Sequence, residues 1–354
     1  MADAVRRELA TPVARHWPRA GAPLLALVAL LVSATVAVLV GPANIAVADV
    51  GRVLLNHVAG ADYAVEASVD AIVWEIRLPR VLLAGAVGAS LAFSGAAYQG
   101  VFRNPLADPY LLGVASGAGL AGALAIVLDA PLSTGGFGLL PLISFGGAMA
   151  SVLLAYSIAR VGGTTPNTTL VLAGVAISSL SVSFISYILI LDSRNFSQVL
   201  AWLLGSFNGS SWHDLTYVLP YAIPAGALIV MHGRVLNVLQ LDESEASQLG
   251  IDVQRTKTLL LVAASLATAA AVSVVGIVGF IGLLAPHIVR LLIGPDYRRL
   301  LPVAAMVGAT LLIVADIGAR TLVSPGELPV GVVTSFIGAP FFLFLLRRQR
   351  KAYF

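Results

Sequence analysis

Residues 77–119 read RLPRVLLAGAVGASLAFSGAAYQGVFRNPLADPYLLGVASGAG. They hold most of two charge-free apolar runs, 81–102 and 109–128, joined by the polar turn Arg103-Asn104-Pro105-Leu106-Ala107-Asp108. Each run is about the 20 residues that a helix needs to cross roughly 30 Å of hydrocarbon. Gly85, Gly88 and Gly95 in the first run, and Gly113 and Gly117 in the second, are the small residues that let helix backbones approach closely in lipid. Pro105 and Pro109 stop one helix and set the start of the next. The stretch predicts a transmembrane hairpin with a polar tip.

The rest of the chain is the same material. Of its 354 residues, 58% are hydrophobic and 11% charged, where a soluble domain carries about 25% charged residues. The expected fold is all-α: a polytopic membrane protein with spans at about 22–41, 81–102, 109–128, 139–159, 168–191, 214–232, 257–279, 283–294, 300–319 and 328–346. A β-barrel is disfavoured, because barrel strands alternate polar and apolar residues over about 10 positions. The chain has no cysteine, which excludes disulfides, thiolate metal sites and cysteine nucleophiles. The first charge-free run, 20–48, exceeds the h-region of a cleavable signal, so no leader is expected.

This reading gives a basic tail (1–21), a ten-span domain (22–346) and a second basic tail (347–354). Residues 42–80 form the longest outer segment, and 195–213, with Trp202 and Trp212, an interfacial or re-entrant helix. With both termini cytoplasmic, sixteen of the 21 Lys and Arg residues fall inside and Arg52, Arg77, Arg80, Arg194 and Arg320 outside, the asymmetry of the positive-inside rule. Joining 257–279 and 283–294 into one span would force the basic C-tail outside. The spacing Gly95-x9-Pro105-x7-Gly113 recurs as Gly276-x9-Pro286-x7-Gly294, suggesting the inverted repeat common among transporters.

Chemistry is sparse. The two lysines, Lys257 and Lys351, lie in no phosphate-binding GxxxxGK[ST] pattern, and HExxH and GxSxG are missing. A proton-driven carrier is expected to hold ionisable groups in mid-membrane; Asp316 is the clearest, and Arg320 four residues on can pair with it near a helix end. The one clearly polar internal segment is 237–257. Its Asp242-Glu-Ser-Glu-Ala-Ser-Gln-Leu-Gly250 reads as a short helix with acidic residues at its start and a glycine cap. By itself it is equally a solvated connector or a docking helix for a soluble partner.

The hairpin sequence resembles the signature of the FecCD-type permeases, membrane subunits of ABC importers for iron–siderophores, haem and cobalamin. LVLAGVAIS (170–178), WLLGSFNGSSW (202–212), ASQLGI (246–251), GFIGLLAPHIVR (279–290) and ELPVGVVTSFIGAPFFLFLL (327–346) carry the same resemblance. It implies ten spans, as in the cobalamin-importer permeases, and a dimer of permeases, here a homodimer. It also implies two ATPase subunits, which bind ATP and Mg so that this chain needs no cofactor or metal of its own, and an extracytoplasmic binding protein; nothing suggests a nucleic acid. By the same likeness the ATPase docks at Asp242, Glu243, Glu245, Ala246, Leu249 and Gly250. Arg77, Arg80 and Arg320 receive acidic residues of the binding protein, and Asn104, Leu106, Asn167 and Thr168 form the inner gate. The implied activity is import of an iron chelate, with cobalamin or haem as alternatives and an ion-driven carrier as the reading from another class.

Overall fold

In the computed structural model the chain is described over residues 21–129, 133–134, 137–160, 162, 164–192, 194–241, 243–323 and 326–353. The expected N-terminal tail and Asp242 lie outside the described residues. Among the described residues the fold is helical apart from one two-residue antiparallel pair, β1 (Ser133–Thr134) with β2 (Phe137–Gly138). The helices are α1 (Gly21–Leu39), α2 (Val47–Ala59), α3 (Ala67–Ala71), α4 (Leu78–Phe102), α5 (Val114–Val127), α6 (Leu139–Ala159), α7 (Asn167–Leu191), α8 (Phe196–Leu203), α9 (Trp212–Met231), α10 (Gly233–Val238), α11 (Glu243–Gln248), α12 (Val253–Val275), α13 (Ile281–Ile293), α14 (Tyr297–Thr321) and α15 (Val330–Tyr353). Among the described residues, seven helical stretches are long and apolar enough to cross a membrane, and three shorter apolar ones, Val114–Val127, Ile281–Ile293 and Val330–Phe344, accompany them. Each of the ten apolar stretches read from the sequence overlaps one of these helices.

The core is organised around α4. Val87, Leu91, Ala92, Ala96, Ala97 and Tyr98 are all fully or nearly fully buried, and α4 packs against α12, α13 and α14. Small residues permit this. A Cβ on Gly95 would meet the backbone carbonyl of Gly282 in α13, and one on Gly88 the carbonyl of Gly308 in α14. The main chains are therefore in direct contact, where dispersion and shape replace the hydrophobic effect as the force between helices in lipid.

Three boundaries differ from the sequence reading. First, the third span starts at Val114, not 109, and only 14 residues are helical. Pro109 lacks an N–H, Asp108 ties its carboxylate to the Tyr110 N–H at 2.8 Å, and Gly113 sits at φ 81°, so 103–113 is a folded turn. Second, the outer segment 42–80 is not a separate polar loop. α3 runs through a π-helical turn, Ile72–Arg77, into α4, making one helical stretch from Ala67 to Phe102. Before it, α2 is fixed by His57, whose ring stacks on Trp74 at 4.1 Å and whose Nε2 lies 3.0 Å from Asp70. Third, α15 continues through the basic run to Tyr353.

The 257–294 run divides at 276–280, as expected. Gly276 (φ 76°) ends α12, and Phe280 (φ 68°) starts α13. The matched repeat residues take different positions in the two halves. Gly95 lies inside α4 whereas Gly276 ends α12, and Pro105 lies in a turn whereas Pro286 lies inside α13.

Gly95→Ala is expected to reduce stability by about 1–3 kcal/mol, the usual result of forcing atoms into a filled core. Gly146→Ala, where nothing lies within 4 Å of the new methyl, should be neutral or stabilising. Thermal denaturation of the two variants in detergent checks the difference.

Candidate functional site

Two polar regions sit at opposite ends of the helices. At one end, Arg77, Arg80 and Arg320 come together, and they are buried rather than surface charges: each is between 3 and 6% exposed. Arg80 is clamped from two sides. Its Nη2 donates to Asp316 Oδ1 at 2.8 Å and to Glu327 Oε2 at 2.9 Å, and its Nη1 to Glu327 Oε1 at 3.1 Å. Arg320 Nε lies 3.1 Å from Asp316 Oδ2, the i,i+4 pair read from the sequence. Its Nη atoms reach the carbonyls of Ala37 and Val40, both at 3.2 Å, and Arg77 Nη1 donates to those of Val38 and Leu39, both at 2.9 Å. Arg77 Nη2 adds a bond to the Ala43 carbonyl.

The last carbonyls of a helix have no partner within it, and a cation at that end is favourable. Arg77 and Arg320 therefore cap the C-terminus of α1, while Arg80 joins α4 to α14 and to the residues before α15. Glu327 escaped the sequence reading; its only local sign is an acidic residue inside the apolar ELPVG stretch. A cavity of about 240 Å³ remains, lined by Pro42, Ala43, Asn208, the three arginines and Glu327 among others.

At the other end, α11 projects as expected. Ala246 is buried and anchors it, whereas Glu245, Leu249 and Gly250 are exposed, Leu249 by 63%. Gly250 at φ 81° closes the helix: its N–H reaches the Ser247 carbonyl at 2.9 Å, and the next N–H, of Ile251, reaches that of Ala246 at 3.3 Å. Glu243 opens α11. Nearby, Asn237 Nδ2 donates to Asp296 Oδ1 at 2.7 Å and Asn237 Oδ1 accepts from the Tyr297 N–H at 2.9 Å, tying α10 to the start of α14. That bond from Asn237 is the main reason the Asp296 carboxyl lies below the usual carboxylate range.

The hairpin tip faces the same end. Asn104 is exposed and closes its own turn, accepting from the Leu106 N–H at 2.9 Å, and Leu106 is half-buried. Asn167, at the start of α7, reaches the hairpin through Nδ2 to the Val101 carbonyl at 3.4 Å, and Thr168 beside it is exposed. Beyond the tip the turn folds back between helices. Tyr110 Oη donates to the Val278 carbonyl at 2.8 Å and accepts from its N–H at 3.2 Å, while the Leu111 carbonyl lies against Gly174 and Pro109 against Gly282. Irregular backbone inside a membrane protein survives where protein groups satisfy it; here the break in α12–α13 and the turn after α4 satisfy each other.

Asp316→Ala is expected to lower stability by about 3–5 kcal/mol, because it leaves buried guanidiniums without their carboxylate. Glu327→Gln, at a 24% exposed side chain, should lower it less. Denaturation in detergent, with Arg52→Gln in the exposed Arg52–Asp49 pair as a neutral control, checks the order.

The sequence profile of the FecCD transport family matches residues 27–348. The cobalamin import system permease protein BtuC of Halobacterium salinarum is 43% identical over 83% of this chain and 78% of its own length. The hemin transport system permease protein HmuU of Yersinia pestis is 41% identical over 79% and 84%, and the Fe(3+) dicitrate transport system permease protein FecD of Escherichia coli 41% over 79% and 86%. A solved structure described as an inward-facing conformation of a metal-chelate type ABC transporter superposes with a TM-score of 0.79 at 29% identity, covering 92% of this chain and 98% of that one. Fold, helix order and sequence agree, and the chain belongs to the FecCD transport family, as a membrane permease subunit of an ABC importer whose ATP is hydrolysed by a partner ATPase.

Proposed function

We propose that the chain carries an iron chelate across the cytoplasmic membrane, delivered by an extracytoplasmic binding protein and driven by two ATPase subunits that hold ATP and Mg. Both termini are cytoplasmic, the permease domain is 22–346 with 237–257 as its docking loop, and a second copy of the chain completes the path. The observation that carries this reading is α11: a short helix held by one buried alanine, presenting Leu249 beside Glu245 away from the helical body. An exposed leucine among polar groups resembles the apolar centre and polar rim of an interface, and Asp242 and Glu243 belong to the same proposed docking segment.

The outer docking role of the arginines takes a different form from free surface cations. Three guanidiniums against two carboxylates leave a surplus positive charge around the 240 Å³ cavity, and an acidic side chain of the binding protein entering there meets Arg77, Arg80 and Arg320 together. Asn104 and Leu106 on the hairpin tip, with Asn167 and Thr168 at the start of α7, make up the inner gate in this reading. The second copy is supported by α7, whose Ser179, Ser183 and Ser186 are exposed, the last two with hydroxyls bonded back to their own helix at 2.9 Å. Such a face suits a wet, weakly binding wall.

Cobalamin is the second reading, favoured by the 43% identical Halobacterium salinarum relative. Reconstitution with the ATPase and binding protein, offering ferric dicitrate, hemin and cobalamin in turn, should show ATP-dependent uptake of the ferric chelate. Uptake of cobalamin alone would transfer the substrate to that reading, and uptake on an ion gradient without nucleotide would overturn the importer assignment. Leu249→Asp is expected to weaken ATPase binding by about tenfold or more, the scale of an interface anchor, in a pull-down from detergent.

A further inference from the structure

We propose that Gln254 and Lys257, on the first turn of α12, are positioning residues that couple movement of α11 to the inner gate. The proposal rests on the docking reading of α11 and names the link by which that helix acts. α11 and α12 are separated by only 249–252, and Asp252 caps α12 by accepting from the Arg255 N–H at 3.0 Å. A shift of α11 is therefore delivered to the first turn of α12.

Gln254, Lys257 and Thr258 share one face of that turn, at i, i+3 and i+4. Gln254 Nε2 donates to Thr165 Oγ1, Lys257 Nζ lies 3.4 Å from Asn167 Oδ1, and Thr258 Oγ1 is 2.6 Å from Tyr156 Oη. Asn167 in turn bonds the Val101 carbonyl. A continuous set of polar contacts thus runs from the docking segment through the start of α7 to the hairpin.

The surroundings explain why polar bonds are used. Lys257 and Thr165 are each only 5% exposed. A buried lysine is costly unless polar partners compensate it, and fixing register is the best-attested use of such groups. Ser247 and Ile251 lie across a cavity of about 680 Å³ from Thr164–Asn167. The two elements are joined across it by hydrogen bonds, which can break and re-form in another register where an interlocked apolar contact would resist sliding.

The test uses the whole complex of permease, ATPase and binding protein in proteoliposomes, with whichever of ferric dicitrate, hemin or cobalamin the unaltered complex takes up. Gln254→Ala with Lys257→Met should leave ATPase binding and ATP hydrolysis near the unaltered level and raise the ATP hydrolysed per molecule moved about tenfold, in the range of coupling between linked sites. Thr165→Val, which removes only the hydroxyl, should shift that ratio in the same direction, and Thr165→Ser should restore it. Unchanged ratios, or uptake and hydrolysis falling together, would overturn the coupling role. Nucleotide-independent uptake by the unaltered complex would instead overturn the importer reading.

Discussion

Direct backbone contact between α4 and its neighbours is the constraint on which the rest depends. In lipid the exclusion of water supplies no force between helices, so association needs van der Waals contact over long, closely approaching surfaces. Glycine on both sides achieves this where Gly88 meets Gly308 and Gly95 meets Gly282. These contacts seat α13 and α14 on α4, and that seating carries the other groups into reach: Asp316 arrives beside Arg80, and Val278 beside Tyr110. A bulky residue at any of these glycines would shift the ion cluster and the folded turn together.

The polar chemistry is concentrated at the two ends of the packed helices and used differently at each. At the end where α1 closes, five charged side chains and the carbonyls of α1 bond one another at 2.8–3.2 Å or closer, with one positive charge in surplus. Such a cluster is strong when complete and costly when broken, so it holds that end of the helices in one shape. At the opposite end the bonds include two at 3.4 Å, and a cavity of about 680 Å³ lies between the α11–α12 segment and the start of α7. Weaker, longer contacts leave that region easier to rearrange. The burial of the three arginines also changes what a charge reversal there reports, since stability responds before any partner is lost.

Much of this was legible beforehand. The ten apolar stretches, the division of 257–294, the exposed helix before Gly250 and the Asp316–Arg320 pair follow from hydropathy, glycine and proline placement and i,i+4 spacing, all of which act over a few residues. The start of α5 was misplaced because Pro109 was read as a helix opener when Asp108 and Gly113 hold it in a turn. The helices within 42–80 are not legible because charged residues interrupt any apolar pattern there.

What the chain order alone determined is therefore the set of helices, the polar segments that interrupt them and the kinship with a transport family, because the partition of a helix between lipid and water is a property of its own residues. What only the tertiary structure decided is the fate of each polar group. Arg80 and Asp316 are 236 residues apart, Tyr110 and Val278 168, and Gln254 and Thr165 89. No local pattern shows whether such groups will meet. In a medium of low dielectric that meeting separates a costly exposed charge from a clamp, and a broken helix from a satisfied turn.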